Sequence, residues 1–86
     1  MFLSYSKKFI KQYSKQSSQI KDKFIERQGL FVTNLFHPLL NNHRLSGEYA
    51  GCRSINITGD IRAVFEELSE NHVEFVAIGS HSELYS

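Results

Sequence analysis

Residues 51–65 decide the fold of this chain and read Gly51-Cys-Arg-Ser-Ile-Asn-Ile-Thr58-Gly59-Asp-Ile-Arg-Ala-Val-Phe65. From 52 to 58 the side chains alternate, with Ile55 and Ile57 on one parity and polar or small residues on the other. A period of two is typical of a half-buried strand. The pair Gly59-Asp60 is a turn signal, so a second strand is predicted at 61–68. The stretch therefore predicts a hairpin with one polar face that is available for a partner.

Further segments extend this hairpin into a sheet. Residues 72–79 contain five apolar residues, which is typical of a strand covered by helices: Val73, Phe75, Val76, Ala77 and Ile78. Earlier in the chain, Pro38 and Asn41-Asn42 mark a loop, because proline lacks a backbone donor and asparagine readily adopts turn conformations. We predict a short strand at 43–45 after this loop and another at 2–5.

The residues between the first strand and the loop follow a helical period. Phe9 and Tyr13 share one face of a helix predicted at 6–15, and Ser17-Ser18 offers an N-cap for a second helix at 18–34. The two helices should pack as a hairpin with their apolar stripes inward. The element order is βααβββ, with 43–45 as a short extra strand. We predict an α+β fold in which two N-terminal helices pack on one face of a small antiparallel sheet.

Length and composition favour one domain over residues 1–86. A chain of 86 residues with 41% hydrophobic residues can build one core and has no room for a second. The lone Cys52 cannot form an internal disulfide and favours a reducing compartment. No apolar run approaches the roughly 20 residues that a spanning helix needs. We expect a cytoplasmic protein with no membrane partner.

Charge is divided unevenly along the chain. Residues 1–44 carry six Lys and two Arg against two acids, whereas residues 45–86 carry two Arg against seven acids. A basic block of this kind indicates a polyanion partner such as RNA, and a plain solvated helix surface is an equally good interpretation of the charge alone. The candidate RNA-binding side chains are Lys7, Lys8, Lys11, Lys15, Lys21, Lys23, Arg44, Arg53 and Asn56.

Five residues from the sheet-forming half are candidates for chemistry: His43, Asp60, Arg62, His81 and Tyr85. Histidine titrates near neutral pH and can accept or donate a proton, which general acid–base catalysis requires. Arginine offers a planar set of donors to phosphate oxygens. A tyrosine ring can stack on a base while its hydroxyl stays polar. Together these groups suit transesterification at a phosphate.

Each candidate also has a structural interpretation. The two histidines can be ordinary exposed polar residues, and Asp60 is explained by the turn in which it lies. Arg62 can pair with Glu66 on its own strand, and Tyr85 can cover the core at the end of the chain. No histidine or cysteine pair has the spacing of a zinc site, and the glycines are too scattered for a phosphate loop. We therefore expect neither a metal nor a small-molecule cofactor.

The order and spacing of four motifs carry a resemblance to a known family. The motifs are His43-x-Leu45-x-Gly47, Gly51-x-Arg53, Asp60-x-Arg62 and Gly79-x-His81-Ser-x-Leu-Tyr85. With the helical hairpin that precedes them, they resemble the YafQ branch of the RelE/ParE toxin superfamily. The resemblance implies a RelE-like fold and an antitoxin partner. It also implies a bacterial toxin that cleaves mRNA on the ribosome by attack of a 2′-hydroxyl on the adjacent phosphate, without a metal.

The resemblance also implies roles for individual residues. His81 would be the acid, His43 or Asp60 the base, Arg62 the phosphate-binding cation, and Tyr85 the residue that orients the substrate. Two positions depart from the family pattern: Asn56 stands where a further catalytic histidine is expected, and Ile61 replaces an aromatic residue. Asparagine cannot act as a base near neutral pH. A binding module of the same fold, such as a ParE-like gyrase inhibitor or a relative that only binds an antitoxin, is therefore the alternative.

Overall fold

The computed structural model describes residues 1–85 and confirms the predicted α+β fold. The strands in this range are β1 (Phe2–Tyr5), β2 (His43–Arg44), β3 (Arg53–Asn56), β4 (Ile61–Ser69) and β5 (His72–Ser80). The α-helices are α1 (Lys7–Ser14), α2 (Ser18–Thr33) and α3 (His81–Tyr85). Short 3-10 turns cover Pro38–Leu40 and Gly47–Tyr49. None of the helices in residues 1–85 is long and apolar enough to span a membrane.

The five strands form one sheet in the order β1-β5-β4-β3-β2. The β2–β3, β3–β4 and β4–β5 pairs are antiparallel, as expected for short hairpin connections. The β1–β5 pair is parallel, with Phe2 opposite His72 and Tyr5 opposite Phe75. Parallel neighbours need a long connection, and the chain from 6 to 71 provides it. The first strand thus becomes one edge of the sheet, next to the buried strand β5.

Hydrogen bonds explain where the elements begin. The Ser6 and Ser17 side chains cap the two long helices, accepting from the backbone N–H of Phe9 at 3.0 Å and of Ile20 at 3.2 Å. Each cap therefore precedes the first helical residue. Strand β3 is shorter than predicted because the N–H groups of residues 57 and 58 both donate to the Ile61 carbonyl and form the turn. The bonds to this carbonyl close the turn between β3 and β4.

Phe75 on β5 is the centre of the core under the helices. Its ring lies 5.2 Å from the ring of Phe24, 5.6 Å from Phe31 and 5.9 Å from both Phe9 and Phe65, measured between centroids. The ring is fully buried. Edge-on and tilted packing of this kind adds to the stabilisation from apolar burial. Both long helices are held to the sheet through this cluster.

The opposite face of the sheet is less open than the alternation predicts. A second cluster covers part of it, formed by Tyr49, Val64, Ala77 and Leu84. Val64 and Ala77 face each other across β4 and β5, and α3 and the 47–49 turn fold over them. The centre of this face is therefore apolar. The polar parity predicted for strand 52–58 lies beside it, where Ser54 and Asn56 contact Arg62.

We predict that Phe75→Ala lowers the free energy of unfolding by about 3–5 kcal/mol, because it leaves a cavity between the sheet and both helices. The measurement is urea unfolding followed by circular dichroism. Ile25→Ala is the matched control, since Ile25 is 59% exposed on α2 and its loss should change stability by no more than about 0.5 kcal/mol. Equal losses for the two variants would contradict the assignment of Phe75 to the core.

Candidate functional site

An open groove lies where β2, β4 and α3 meet. Its volume is about 440 Å³, within the range of ligand-binding clefts. The lining residues are His43, Arg44, Leu45, Ser46, Arg62, His81 and Tyr85. This set contains two arginines and two histidines and no carboxylate. The groove therefore suits an anionic ligand, and it brings together four of the five residues predicted for chemistry.

Arg62 is held in the groove by several acceptors. Its Nε and Nη2 donate to the Ser54 hydroxyl at 3.0 and 2.8 Å, and its Nη1 donates to the Asn56 side-chain oxygen. The Asn41 carbonyl is a weaker acceptor at 3.4 Å. Burial lowers the pKa of Arg62 from its ordinary value, and nearby Tyr85 acts in the opposite direction. An arginine keeps its proton near neutral pH even so. The site thus has an oriented, permanent cation.

His43 lies beside this cation at the edge of the sheet. Its Nδ1 is 3.0 Å from Nη2 of Arg62 and also 3.0 Å from the Asn41 carbonyl oxygen. One nitrogen cannot accept from Arg62 and donate to the carbonyl at once, so the two contacts belong to different tautomers. When Nδ1–H donates to Asn41, the Nε2 lone pair is free to accept a proton. The base-competent tautomer is therefore the one that the Asn41 carbonyl stabilises.

His81 is the first residue of α3, a helix that the sequence analysis did not predict. Ser80 and Glu83 cap this helix reciprocally: the Ser80 hydroxyl accepts from the Glu83 N–H at 3.2 Å, and the Glu83 carboxylate accepts from the Ser80 N–H at 2.7 Å. A side chain at Gly79 would come within 3.1 Å of that carboxylate. The Ser-x-x-Glu pattern was visible in the sequence and predicts this cap.

Two tyrosine side chains connect His81 to the basic helix α1. The His81 ring lies 4.8 Å from that of Tyr85, which in turn lies 6.0 Å from the Tyr49 ring at nearly a right angle. Lys8 donates to the Tyr49 hydroxyl at 2.8 Å, and this bond raises the pKa of Lys8. The Tyr85 hydroxyl is buried and finds no partner in residues 1–85. Tyr85 therefore lines the groove and also packs against the rings of Tyr49 and His81.

The remaining predicted residues fall outside the groove. Asp60 is exposed in the β3–β4 turn and does not line the cleft. Asn56 faces the site, but its role there is to accept from Arg62. Arg53 has the opposite parity on β3 and stacks on Phe36 on the helical side, with its Cζ 5.3 Å from the ring centroid. Sequence reasoning did not single out Phe36, Tyr49 or Ser54.

The lysines lie on the helical half, as the charge division indicates. Lys7, Lys11 and Lys15 are exposed on or just after α1. Lys8 also approaches Glu48 at 3.9 Å, Lys21 lies over the Tyr13 ring, and Lys23 pairs with Glu26 at 3.4 Å. In the described part of the chain, no three His, Cys, Asp or Glu side chains are placed to hold a metal ion.

Comparison of the sequence with known protein families identifies the family of this chain. The family described as "Bacterial toxin of type II toxin-antitoxin system, YafQ" matches residues 1–86. The chain belongs to the YafQ family. It is therefore a toxin of a type II toxin–antitoxin system within the RelE/ParE superfamily, and the resemblance seen in its motifs is confirmed. No curated protein matches the sequence significantly.

Solved structures of YafQ and related toxins share the fold. YafQ from E. coli strain BL21(DE3) is 18% identical with a TM-score of 0.82, over 98% of this chain and 97% of that chain. The E. coli DinJ–YafQ toxin–antitoxin complex contains a chain that is 19% identical with a TM-score of 0.80, over 98% and 96%. A YoeB/ParE toxin from Agrobacterium tumefaciens is 21% identical with a TM-score of 0.77, over 94% and 99%.

We predict that Arg62→Lys destabilises this YafQ-family chain by about 1–3 kcal/mol. A lysine cannot donate hydrogen bonds to both Ser54 and Asn56 as the arginine does, and hydrogen bonds to a charged group contribute about this much free energy. Ser54 is fully buried, so its hydroxyl would lose partners that water cannot replace. Urea unfolding measures the effect. Arg44→Lys is the matched control, since Arg44 is exposed and should change stability by less than about 0.5 kcal/mol. An unchanged midpoint for Arg62→Lys would contradict the prediction.

Proposed function

We propose that this chain is a ribosome-dependent endoribonuclease that cleaves mRNA in the ribosomal A site. One observation carries the proposal: two histidines and an oriented arginine line one groove without a carboxylate. The imidazoles of His43 and His81 can serve as general base and general acid, and Arg62 can neutralise charge on a phosphate. A protein that only binds a partner has no need for this combination. Membership of the YafQ family supports the same conclusion.

The proposed reaction is a transesterification within the RNA strand. A base removes the proton of the 2′-hydroxyl, and the oxygen attacks the adjacent phosphorus. As the bond to the 5′-oxygen breaks, His81 donates a proton to that oxygen. The products are a 2′,3′-cyclic phosphate and a 5′-hydroxyl. Arg62 stabilises the charge that develops on the phosphate oxygens, Tyr85 orients the substrate, and no metal ion takes part in the step.

His43 is the better candidate for the base. Its ring lines the groove, and one tautomer leaves Nε2 free to accept a proton, whereas Asp60 lies on an exposed turn away from the groove. A base must be within hydrogen-bond reach of the proton that it removes. Asn56 cannot replace a histidine in proton transfer, and it serves by holding Arg62 in position.

The proposed partners follow from the same function. We expect a cognate antitoxin, because similar toxins form the DinJ–YafQ and YoeB–YefM complexes. Ribosomes and mRNA place the protein in the cytoplasm, where it would act as a single domain. A ParE-like gyrase inhibitor is the second candidate, and the lack of a histidine at Asn56 favours it. The two candidates differ in one respect: only the endoribonuclease needs the groove histidines for RNA cleavage.

We predict that purified protein cleaves mRNA in the presence of ribosomes and leaves free mRNA intact, and that His81→Ala slows this cleavage by roughly 10²–10⁴-fold, the usual contribution of a general acid. The assay is primer extension on translated mRNA, with growth arrest measured in parallel. Thermal melting should hardly change, because the His81 side chain is exposed.

The matched control is His72→Gln, which removes a histidine at the far end of β5 and keeps a donor for the Ser4 hydroxyl, now 2.8 Å from His72 Nε2. This control should cleave at the parental rate. Two results count against the proposal: strong cleavage of free RNA by the protein alone, and parental cleavage by a normally folded His81→Ala variant. The second result would favour the gyrase-inhibitor alternative.

We predict that reversing the charge of Lys7, Lys11 and Lys15 to Glu weakens ribosome binding and makes it less sensitive to salt. Each lost phosphate contact should reduce the slope of log K against log salt by roughly 0.7–0.9. Sedimentation with ribosomes at several salt concentrations measures the slope. The triple Arg variant keeps the charge and is the control. Normal binding by the Glu variant would mean that these lysines are an ordinary solvated surface.

A further inference from the structure

Phe36 is an exposed aromatic residue in the loop between α2 and β2. Its side chain is 64% exposed. The loop beneath it is ordered by hydrogen bonds, since the Asn34 side chain accepts from the Phe36 N–H at 3.2 Å and the Asn34 carbonyl accepts from the His37 N–H at 3.1 Å. The ring is thus exposed to solvent on a loop whose backbone is hydrogen-bonded.

Arg53 is clamped beside this ring. Its Nε donates to the Asn42 side-chain oxygen at 2.7 Å, and the Asn42 amide donates to the Leu35 carbonyl at 2.9 Å. The guanidinium then lies 5.3 Å from the Phe36 centroid. Stacking on an aromatic ring leaves the outer amino groups of an arginine free to bind an anion. Residues 1–85 offer those amino groups no hydrogen bond.

A second arginine lies directly across the ladder. Arg44 on β2 is the register partner of Arg53 on β3, and like charges in opposite positions destabilise a strand pair. Neither forms an ion pair with a carboxylate of residues 1–85, although Glu67 lines the same groove of about 390 Å³. The two cations therefore form a site that an anion would stabilise.

This site is continuous with the catalytic groove. Arg44 lines the groove that holds Arg62 and His81, and it also lines the groove that holds Arg53. A strand of RNA that leaves the first groove would pass Arg44 and reach the ring of Phe36. Single-stranded RNA is bound by cations that contact its phosphates and by aromatic rings that stack on its bases.

We propose that Phe36, Arg53 and Arg44 form a platform that binds single-stranded RNA beside the catalytic groove. The arginines contact the phosphates and Phe36 stacks on a base that lies outside the cleaved linkage. The inference rests on the proposed function for its substrate and adds a binding site that the chemistry itself does not require. Arg53 beside the ring and Arg44 opposite it on the ladder, neither in an ion pair within residues 1–85, favour RNA over an apolar protein segment.

The test uses a short single-stranded oligoribonucleotide that carries 2-aminopurine, whose fluorescence falls when the base stacks on an aromatic ring. The parent 86-residue chain at low salt should bind the probe and quench it. We predict that Phe36→Ala weakens binding roughly 5- to 100-fold and removes the quenching, which is the usual effect of losing one base-stacking ring. Phe36→Trp should retain both, because it keeps an aromatic face.

Leu39→Ala is the matched control, since Leu39 is 57% exposed near the same loop and has no proposed contact with RNA. It should bind and quench like the parent. Absence of quenching by the parent protein overturns the platform, as does parental binding by Phe36→Ala or an equal loss in Leu39→Ala. Parental RNA binding by Phe36→Ala would assign this surface to a protein partner.

The probe reports binding without cleavage, so it separates the two proposals. If quenching depends on Phe36 but the protein does not cleave mRNA on ribosomes, the platform is supported and the proposed nuclease activity is wrong. Suppose instead that the parent cleaves mRNA on ribosomes and that Phe36→Ala binds the probe normally. That result would support the nuclease and rule out the platform. Thermal melting of each variant confirms that it is folded.

Discussion

The burial of strand β5 on both of its faces is the constraint on which the rest of the structure depends. On one face Phe75 joins the aromatic rings of both long helices and of β4. On the other, Ala77 lies under the turn and helix that contribute Tyr49 and Leu84, because the register shifts between the Phe75 and Ala77 pairs of the β4–β5 ladder. A strand covered on two sides cannot slip by one residue, because every side chain would change face. The position of each neighbouring strand is thereby fixed.

The site inherits its geometry from this fixed register. Arg62 on β4 is paired with Gly79 on β5, and the chain turns into α3 two residues later, so that His81 comes to line the same groove as Arg62. The Ser80–Glu83 cap holds the start of that helix. The position of His81 on this short helix is thus set by hydrogen bonds between capping side chains and backbone N–H groups.

One set of contacts both satisfies Arg62 and orients it for its proposed role. The buried Ser54 hydroxyl and the Asn56 amide orient its guanidinium toward the groove, at the edge where His43 lies. An arginine that is held before a ligand arrives loses less freedom when it binds a phosphate. The position where the family pattern expects a histidine is used here to hold the cation. Proton transfer in the proposed reaction therefore depends on the two groove histidines.

The sequence by itself determined the α+β class and the order of elements as far as β5, because strand and helix periods and turn residues act locally, and its motifs indicated the family. It did not predict helix α3. It also indicated five of the residues that line the groove, four as candidates for chemistry and Arg44 as a candidate for RNA binding. Only the tertiary structure decided that Asp60 lies outside the groove, that Arg53 faces Phe36, and that β1 pairs in parallel with β5. These facts depend on register and on contacts between distant segments, which no local pattern contains.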